Sequence, residues 1–499
     1  MHKKEDVMKK KIIALLCAAV LGLGTLGMVG CAKKDESFTI AFLSGGRGST
    51  YVQELVDEFK KTDAWKNYLA ANDLEDLEVN IIQGGADIVV SEVQNKINTG
   101  KYPDVMFLNY NMGGTRLTEN FVSNEMLVNL DSLLEEQIPG ENVTLKSKFV
   151  DGILNNYAIK PYGEAKGVYT LPAFYSPTGL WYDASRFNAD GSDGKYKLPT
   201  TWDEFWLLGD ELNAANGNNS ASQVDGDHPS LFTYPTTGYF DSVIPAAVAN
   251  SAGASKVMDM LAYKDNIWND TDVKAGLRNV VRLRDYLSPT TVSEAGAEGG
   301  YTRNQQSVIG ATSVVDGQVT QTSRGTALFV PNGDWLPAEM ASTTPAGFEW
   351  GFMPLPAGSQ GRYVTSFIET VYLHSRGDYN DLAKQFLLFY YSDAGAKIVA
   401  EESGAIIPTK NALAKAAENG IAASTIKLYD VYNDYPAVVG MFASTEPVTG
   451  LVWNDVLYTE LNTKVFNDEN SAKSIDDLLS EWVTRLESAS DRYRENIIA

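Results

Sequence analysis

Aromatic side chains stand beside turn-forming residues at three places in the chain, and these pairings suggest the chemistry of a binding site. The three segments are residues 174–177 (FYSP), 238–240 (GYF) and 332–335 (NGDW). Flat rings stack on the apolar faces of sugars, while nearby Asn, Asp, Glu and Arg side chains hydrogen-bond to sugar hydroxyls. We therefore predict a carbohydrate-binding cleft in which Tyr175, Tyr239 and Trp335 stack on the ligand. Each ring alone is equally a core candidate, so the prediction depends on the set.

The residue types that most often support metal or nucleophilic chemistry are scarce. The chain has three histidines, His2, His228 and His374, and two cysteines, Cys17 and Cys31. A zinc site needs three or four His, Cys or acidic ligands in one place. A Ser/His/Asp hydrolase needs a histidine beside its nucleophile, and no nucleophile-elbow pattern accompanies His228 or His374. We expect no catalytic residue, no metal and no cofactor, and we expect His374 to lie at a strand end.

Two loops resemble known ligand loops without matching them. Residues 45–50 (GGRGST) lack the lysine that precedes Ser or Thr in a phosphate-binding loop. Placed between a strand and a helix, this segment still offers backbone N–H groups and Arg47 to a polar ligand. Residues 225–227 (DGD) have no glutamate at the spacing of an EF-hand calcium loop, and the surrounding residues 213–227 contain little to bury. The first loop is therefore a ligand-loop candidate, and the second is a solvated loop.

The sequence leaves two other functional classes open. It contains 64 Asp and Glu residues, and the carboxylate pair of a glycosidase is defined by its separation in space, which a sequence does not contain. An extracellular enzyme that acts on glycosides is therefore the main alternative to a binding protein. A structural surface protein or adhesin is a further alternative, and it would bind no small ligand saturably.

The composition is that of a folded, acidic protein with more than one domain. The chain has 499 residues, of which 44% are hydrophobic, and a formal charge of −23. Single hydrophobic cores stop growing at roughly 250–300 residues, so this length predicts about two to four domains. The negative charge excludes a general nucleic-acid binder, because such proteins hold phosphates through clustered Lys and Arg.

Strands and helices are predicted to alternate in the first quarter of the chain. Apolar runs at residues 38–43, 77–82 and 105–108 indicate strands, and apolar residues at helical spacing indicate helices over 51–59 and 89–97. Such βαβ units form a mainly parallel sheet, and the loops at the carboxyl ends of its strands meet along one edge. We expect a ligand to bind at this edge.

Later segments predict further strands and helices. Residues 168–172 and 180–182 indicate two short strands separated by a loop. Residues 201–204 (TWDE) form a capping-box pattern, in which the Thr side chain accepts from the N–H three residues on and the Glu side chain reaches back. Apolar spacing predicts helices around residues 273–281, 382–389 and 475–486. No period of 20–50 residues repeats, so two α/β lobes fit better than a solenoid.

The first thirty residues predict an export signal. Five lysines precede an uncharged stretch at residues 12–30, which ends at Cys31. Residues 26–31 (LGMVGC) resemble the lipobox of bacterial lipoproteins, in which the cysteine is lipidated and becomes the new N-terminus. We therefore predict a signal peptide over 1–30, a lipidated tether over 31–37 and an extracytoplasmic protein attached to the cell membrane by its N-terminal lipid. An uncleaved membrane anchor is the alternative, although four glycines weaken the run as a spanning helix.

Several short motifs, in their order and spacing, resemble the extracellular solute-binding proteins of bacterial ABC transporters. The resemblance is specifically to the maltose-binding-like proteins of solute-binding family 1, which capture sugars. Each motif is weak alone, and together they span nearly the whole region after the leader. The motifs are residues 100–105 (GKYPDV), 171–172 (LP), 179–183 (GLWYD), 198–205 (LPTTWDEF), 327–329 (ALF), 332–335 (NGDW), 351–356 (GFMPLP) and 403–408 (SGAIIP).

The resemblance implies an α/β fold, the two-lobed clamshell of type II periplasmic binding proteins, with a hinge between the lobes. It implies an N-terminal lobe from residues 38–175 and 362–425 and a C-terminal lobe from residues 178–358 and 430–499. A sugar or oligosaccharide would be buried between the lobes and delivered intact to the permease subunits of an ABC importer.

The resemblance also implies a set of ligand contacts, carried over by position. They are Arg47, Asn109, Tyr110, Asn111, Tyr175, Ser176, Tyr239, Trp335, Trp453 and Tyr458. Asn111 and Ser176 stand where the maltose-binding pattern has acids, so we do not expect maltose itself.

Overall fold

The computed structural model describes residues 35–108, 121, 124–151, 153–156, 167–261, 264–440, 454–467 and 472–498. The predicted signal peptide and Cys31 fall outside these ranges. Among the helices within them, none has both the length and the apolar composition that crossing a bilayer requires.

The strands of the described residues form one nine-stranded sheet and two sheets of two strands. They are β1 (Ser37–Leu43), β2 (Glu78–Gly84), β3 (Val105–Phe107), β4 (Leu171–Asp183), β5 (Phe187–Asn188), β6 (Tyr196–Lys197), β7 (Ser230–Phe232), β8 (Thr312–Val315), β9 (Gln318–Gln321), β10 (Ala327–Asn332), β11 (Trp350–Met353), β12 (Val364–Leu373) and β13 (Ala437–Val439). The large sheet has the order β2-β1-β3-β12-β4-β10-β7, with β11 paired to β4 and β13 paired to β12. β1 is parallel to β2 and β3, as the βαβ pattern predicts.

Helices lie between many of these strands along the chain, and apolar residues at helical spacing explain where several of them form. The α-helices are Thr50–Phe59, Asp63–Ala71, Ala86–Asn98, Asp131–Leu134, Leu145–Lys148, Trp202–Ala215, Ile244–Ala252, Ala254–Leu261, Thr271–Arg282, Thr291–Glu294, Gly300–Ile309, Leu336–Glu339, Asn380–Tyr390, Asp393–Ser403, Ala412–Glu418, Ala423–Tyr429, Val431–Asp434 and Ile475–Ile498. The first of them buries Tyr51, Leu55 and Phe59, which lie four residues apart on one face. The helices predicted around 273–281, 382–389 and 475–486 are present.

The predicted capping box at residues 201–204 forms only in part. The Thr201 side chain accepts a hydrogen bond from the Glu204 N–H at 3.3 Å and caps the helix Trp202–Ala215. The Glu204 carboxylate reaches back to the N–H of Thr200, at 2.8 Å, and to the hydroxyl of the same residue. One orphan donor at the helix start is therefore satisfied by the cap, and the carboxylate secures the residue before it.

β4 and β12 are two long strands that link the two halves of the sheet, and we call them the crossing strands. β12 pairs with β3 and, along most of its length, with β4. β4 then continues beyond β12 to pair with β10 and β11. The prediction of a loop over residues 173–179 is therefore wrong. Pro177 and Gly179 resemble turn signals, but neighbouring strands hold this segment extended.

Two large hydrophobic cores lie on either side of the crossing strands. One includes Phe38, Phe59 and Phe386 and packs the helices Thr50–Phe59 and Asn380–Tyr390 against β1 and β3. We call this half the N lobe. The other core includes Phe205 and Trp482 and packs around β10 and the helix Thr271–Arg282, and we call this half the C lobe. The exact lobe boundaries stay a prediction.

Candidate functional site

Two turns, one from each lobe, meet beside the crossing strands. In the N lobe, β1 is followed by a 3-10 turn over Gly45–Arg47. In the C lobe, β10 is followed by Asp334, Trp335 and the short helix Leu336–Glu339. The backbone of Gly46 lies against Trp335 and Glu339. We define the interlobe cluster as Arg47, Ser176, Asp334, Trp335 and Glu369.

Arg47 is the centre of the interlobe cluster. Its guanidinium donates to Ser176 Oγ at 2.5 Å, to the two carboxylate oxygens of Asp334 at 3.2 and 3.3 Å, and to Glu369 Oε2 at 3.3 Å. The guanidinium carbon also lies 4.6 Å from the centroid of the Phe174 ring. The Arg47 side chain is only 7% exposed. Charge-assisted bonds of this kind are stronger than neutral ones, so the cluster is a tightly connected unit.

Burial and charge act in opposite directions on the groups of this cluster. Burial by itself lowers the pKa of Arg47, but the carboxylates of Asp334 and Glu369 raise it above its ordinary value, so the guanidinium stays charged. Burial raises the pKa of Glu369, and the adjacent Arg47 lowers it in part. The Glu369 side chain is 27% exposed, whereas that of Asp334 is 2% exposed. Glu369 is therefore the carboxylate of the cluster that a ligand can reach.

The register of the crossing strands decides which of their side chains face Arg47. Ser176 lies opposite Phe367, and Phe174 lies opposite Glu369. Directly opposed residues of two strands project from the same face of the sheet. Every residue of β4 and β12 is buried except Tyr175, Phe367 and Glu369. A register shift follows Glu369, and such β-bulges re-aim side chains at functional sites.

A row of four aromatic rings borders the cluster. Trp335 lies edge-on to Phe367, with ring centroids 5.3 Å apart, and 6.4 Å from Tyr239. Its indole N–H donates to the Tyr239 hydroxyl at 3.3 Å. The Tyr239 hydroxyl also makes a short hydrogen bond with the hydroxyl of Tyr301. All four rings are partly exposed, so each keeps some accessible surface.

Glu339 holds the row in place from the C-lobe side. Its carboxylate accepts from the Tyr301 hydroxyl at 2.9 and 3.1 Å and from the Gln305 amide at 2.9 Å. Burial raises the pKa of Glu339, and the hydrogen bonds from Gln305 and Tyr301 oppose that shift. A continuous hydrogen-bonded chain thus runs from Gln305 through Glu339, Tyr301 and Tyr239 to Trp335. It sets the orientation of Tyr239 and Trp335, two of the three aromatic rings that the sequence predicts to stack on a ligand.

The sequence of residues 47–397 matches the family described as bacterial extracellular solute-binding protein. The chain belongs to this family. The match begins at Arg47 and extends through both crossing strands, so it includes the whole interlobe cluster. It confirms the family resemblance of the sequence motifs and identifies the protein as an extracytoplasmic solute-binding protein. No curated protein matches the chain in sequence.

Solved structures of other solute-binding proteins share the fold. Apo RafE from Streptococcus pneumoniae has 14% identity and a TM-score of 0.56, over 91% of this chain and 99% of that one. The GacH receptor of Streptomyces glaucescens has 15% identity and a TM-score of 0.59, over 92% and 100%. An ABC substrate-binding protein of Listeria monocytogenes in complex with cycloalternan has 15% identity and a TM-score of 0.58, over 91% and 99%. The predicted two-lobed α/β fold class is thereby confirmed.

The structure brings four of the predicted ligand contacts of this solute-binding protein together. They are Arg47, Ser176, Tyr239 and Trp335. Their contact with a ligand stays a prediction, and the Arg47 guanidinium already donates four hydrogen bonds to Ser176, Asp334 and Glu369. Four other predicted contacts, Asn109, Tyr110, Asn111 and Trp453, lie outside the described residues.

Two further predicted contacts do not reach the cluster. Tyr175 neighbours Ser176 on β4, so its side chain projects from the opposite face of the sheet, where it stacks on Tyr432 at 5.0 Å. Burial raises the pKa of Tyr175 to about 12. Tyr458 is 1% exposed in the C-lobe core, and its hydroxyl donates to Asp241 at 2.8 Å. A loop over 173–179 would have let both Tyr175 and Ser176 face a ligand, but strand alternation does not.

Sequence reasoning missed Phe367, Glu369, Tyr301 and Glu339. A readable signal existed for Glu369, since it is the single charged residue in the strand Val364–Leu373 (VTSFIETVYL). A lone acid in a largely buried strand indicates a paired or functional carboxylate. Tyr301 and Glu339 carry no such local signal, because only tertiary contacts bring them to the cluster.

Two groups that the sequence raised as chemical candidates, His374 and the turn at Asp225, are explained by local contacts. His374 follows β12 directly, as predicted, is fully buried, and stacks on Tyr102 at 4.4 Å. Asp225 accepts from the backbone N–H groups of Asp227 and His228 at 2.8 Å, which is a turn interaction.

One acidic group was not anticipated. Asp265, Glu487 and Asp491 each place a carboxylate oxygen within 4.8 Å of the others. Glu487 already accepts from the backbone N–H groups of Asn266 and Trp268 at 2.9 and 3.2 Å. This group therefore ties the helix Ile475–Ile498 to the turn before Trp268.

Proposed function

We propose that this solute-binding protein captures a sugar or oligosaccharide between its lobes and delivers it to the permease of an ABC importer. The observation that carries the proposal is the aromatic row of Tyr239, Tyr301, Trp335 and Phe367 beside the reachable carboxylate of Glu369. Partly exposed rings provide stacking surface for sugar faces, and a carboxylate accepts hydrogen bonds from sugar hydroxyls. This combination at the seam between two lobes favours a carbohydrate over an apolar solute.

The solved relatives in fold support a carbohydrate ligand. RafE has been solved in complex with raffinose, GacH in complex with acarbose, and the Listeria protein in complex with cycloalternan. Another structure of the same fold is a chitin oligosaccharide binding protein. A similarity at 14–15% identity supports a shared fold but not a shared ligand. The choice of sugar therefore depends on the residues of this chain.

Capture would work as a population shift between open and closed lobes. A ligand that touches Trp335 in the C lobe and Glu369 on a crossing strand contacts both sides of the seam at once. Such a ligand stabilises the closed arrangement by its differential affinity for that state. Closure then presents a joint surface of both lobes to the permease.

The carboxylates of the site favour binding over glycoside cleavage. Asp334 and Glu369 are both hydrogen-bonded to Arg47, and Glu339 is held by Tyr301 and Gln305. A glycosidase needs one carboxyl free to donate a proton and a second free to attack or to activate water. We therefore propose a carrier that releases its sugar intact, with the glycoside-active enzyme as the alternative.

A lipid anchor at Cys31 completes the proposal. The first described residue, Asp35, is 6% exposed, and its carboxylate is paired with Lys96 and with Lys101. Its carbonyl accepts from the Tyr379 hydroxyl at 2.6 Å. These contacts support a tether of only a few residues between Cys31 and the N lobe.

A thermal-shift panel of mono- and oligosaccharides tests the proposed function. A sugar present at a hundred times its dissociation constant adds roughly 2.7 kcal/mol to the stability of the folded protein. We expect at least one sugar to raise the melting temperature saturably and to be recovered unchanged by chromatography. A panel without any shift would contradict sugar capture, and shorter products in the chromatogram would establish the enzyme instead.

A further inference from the structure

The seam between the lobes carries more negative than positive charge. Three carboxylates lie there, those of Asp334, Glu339 and Glu369, and among the described residues Arg47 is the one basic side chain that contacts any of them. Burial disfavours the ionised form of a carboxylate, and it raises the pKa of Glu339 and of Glu369. A cation added at this seam is therefore attracted, and an anion is repelled.

Glu369 is the carboxylate of the three that keeps an oxygen for a ligand. Asp334 and Glu339 each use both of their oxygens in hydrogen bonds with protein side chains. Glu369 accepts only from Arg47 Nε, at Oε2 and 3.3 Å. In the part of the chain that the structure describes, Glu369 Oε1 has no hydrogen-bond partner, and the side chain is partly exposed.

Aromatic rings lie on the same side of the sheet as this carboxylate. Phe367 and Glu369 are two positions apart on β12 and both partly exposed, whereas Ile368 between them is fully buried, so the first two project from one face. The Trp335 ring centroid lies 5.3 Å from that of Phe367. The faces of such rings attract cations within about 6 Å. Arg47 shows this attraction at the same seam, since its guanidinium carbon lies 5.5 Å from the Trp335 ring centroid.

We propose that Glu369 makes the site selective for an amino sugar, that is, a sugar with a free, protonated amine. The ammonium group donates to Glu369 Oε1 and lies against the rings of Phe367 and Trp335. The same excess of carboxylates rejects sugars that carry a carboxylate or a phosphate, so the selectivity has an attractive and a repulsive part. The inference rests on the proposed function of this site and narrows its substrate class.

An ammonium group uses this arrangement better than a hydroxyl does. A hydrogen bond between two charged groups is stronger than one from a neutral donor, and a hydroxyl gains no cation–π attraction. The ammonium also contacts Glu369 on a crossing strand and Trp335 in the C lobe at once. It therefore strengthens the ligand-driven closure of the lobes.

Calorimetric titrations with matched sugars test the selectivity. The probes are glucosamine, glucose and glucuronate, the three corresponding galactose forms, and the β-1,4-linked dimers of glucosamine, N-acetylglucosamine and glucose. The titrations are run at about pH 7, where an amine similar to an α-amino group is mostly protonated. We expect the amine form to bind at least about tenfold more tightly than the neutral form of the same sugar, and the uronate to show no binding. A neutral sugar that binds as tightly as its amine, or a uronate that binds, would overturn the proposal.

Glu369→Gln tests whether this residue is responsible. The glutamine oxygen can still accept from Arg47, so the variant removes the charge and keeps the hydrogen bond. We expect the amine form to lose about tenfold in affinity and the neutral form to lose less than about threefold. Glu204→Gln is the matched control, because Glu204 is also a partly exposed, ion-paired glutamate, bonded to Lys197 at the start of the helix Trp202–Ala215. The control should keep the full preference for the amine, and circular dichroism verifies that both variants are folded.

Phe367→Leu provides a second variant that keeps the charge of Glu369. It replaces the ring with an aliphatic side chain, and we expect the affinity for the amine form to fall about threefold more than that for the neutral form. A full amine preference in Glu369→Gln would show that the selectivity has another source and would overturn the proposal. Binding of neutral sugars alone would also overturn it and would leave the proposed function standing. If no sugar of any charge binds, the proposed function itself fails.

Discussion

The crossing strands and the C-lobe turns build the two sides of the site in different ways. Ser176 and Glu369 are set by the register of two long strands that pair on both edges. Tyr239 and Trp335 lie on turns. The Trp335 N–H donates to the Tyr239 hydroxyl, and Tyr301 links that hydroxyl to the carboxylate of Glu339. A ladder of backbone hydrogen bonds resists local rearrangement. A series of side-chain hydrogen bonds can instead change at one bond while the others stay in place.

Because of this difference, the stability of the fold and the affinity for the ligand depend on different parts of the molecule. β4 contributes buried residues to both large cores, so damage to it affects both lobes. The turn that carries Trp335 contributes a partly exposed ring and a short helix. We therefore expect substitutions in the strands to change mainly the free energy of unfolding, and substitutions in the turns to change mainly ligand affinity.

The largest expected effect comes from Gly179→Ala in β4. The new Cβ would lie 2.5 Å from the backbone oxygen of Met353 and 3.0 Å from the Phe352 ring. We expect a loss of about 3 kcal/mol in the free energy of unfolding, measured by urea denaturation. Gly238→Ala in the Tyr239 turn is the control, because nothing lies within 4 Å of that position. Equal stability of the two variants would remove the proposed difference between strands and turns.

The pH dependence of stability probes the end of the other crossing strand. Burial lowers the pKa of His374 from 6.5 to about 4, so the unfolded chain binds the proton more readily than the folded protein. The stabilisation from neutral His374 is fully present above its unfolded pKa and decreases as the pH falls toward the folded pKa.

We expect wild type to lose about 2 kcal/mol more stability than His374→Asn between pH 7 and pH 5. Chemical denaturation at each pH measures the difference. The asparagine oxygen can still accept the Arg376 N–H bond that His374 Nδ1 receives at 3.1 Å. Parallel pH profiles for the two proteins would show that His374 does not titrate differently in the folded state.

On the turn side, Trp335→Ala should weaken sugar binding about tenfold, or about 1.4 kcal/mol, with a smaller effect on unfolding. The reason is that the ring is partly exposed and belongs to the row beside Glu369. Isothermal titration calorimetry measures the affinity. Trp350→Ala provides the matched change at another partly buried C-lobe tryptophan, and we expect it to leave affinity unchanged. Unaltered affinity in Trp335→Ala would remove this ring from the site.

The smallest expected effect is that of Tyr301→Phe. The variant keeps the ring but removes the hydroxyl that links Tyr239 to Glu339. The aromatic row therefore keeps its stacking surface but loses a hydrogen bond that orients it. We expect sugar affinity to fall about threefold, in line with one hydrogen bond of about 0.5–1 kcal/mol. Tyr286→Phe, whose hydroxyl bonds to Asp210, should bind as wild type does. If both variants bind sugar with the same affinity, the hydrogen bonds that run from Glu339 to Trp335 do not position the aromatic row.

Local patterns predicted much of the N lobe. The strand at residues 38–43, the glycine turn after it and the amphipathic helix that follows are all present as β1, Gly45–Arg47 and Thr50–Phe59. Hydrophobic periodicity is enough to locate such units because each segment's own residues set its pattern of buried positions, although its packing partners are distant in the chain. The prediction failed for residues 173–179, where proline and glycine indicate a turn but the pairing of β4 with β10, β11 and β12 imposes a strand.

The sequence by itself determined the family and the two-lobed α/β class, and it predicted Arg47, Ser176, Tyr239 and Trp335 as ligand contacts, which the fold brings together at the seam between the lobes. Residue type, order and spacing carry that information, since they reflect local propensity and motif. Only the tertiary structure decided that Arg47 bonds to Asp334 across the lobes. It also decided that the Glu369 side chain lies on the sheet face that Arg47 contacts, whereas the Tyr175 side chain lies on the opposite face. Those outcomes depend on strand register and on contacts between residues up to several hundred positions apart, which no local pattern encodes.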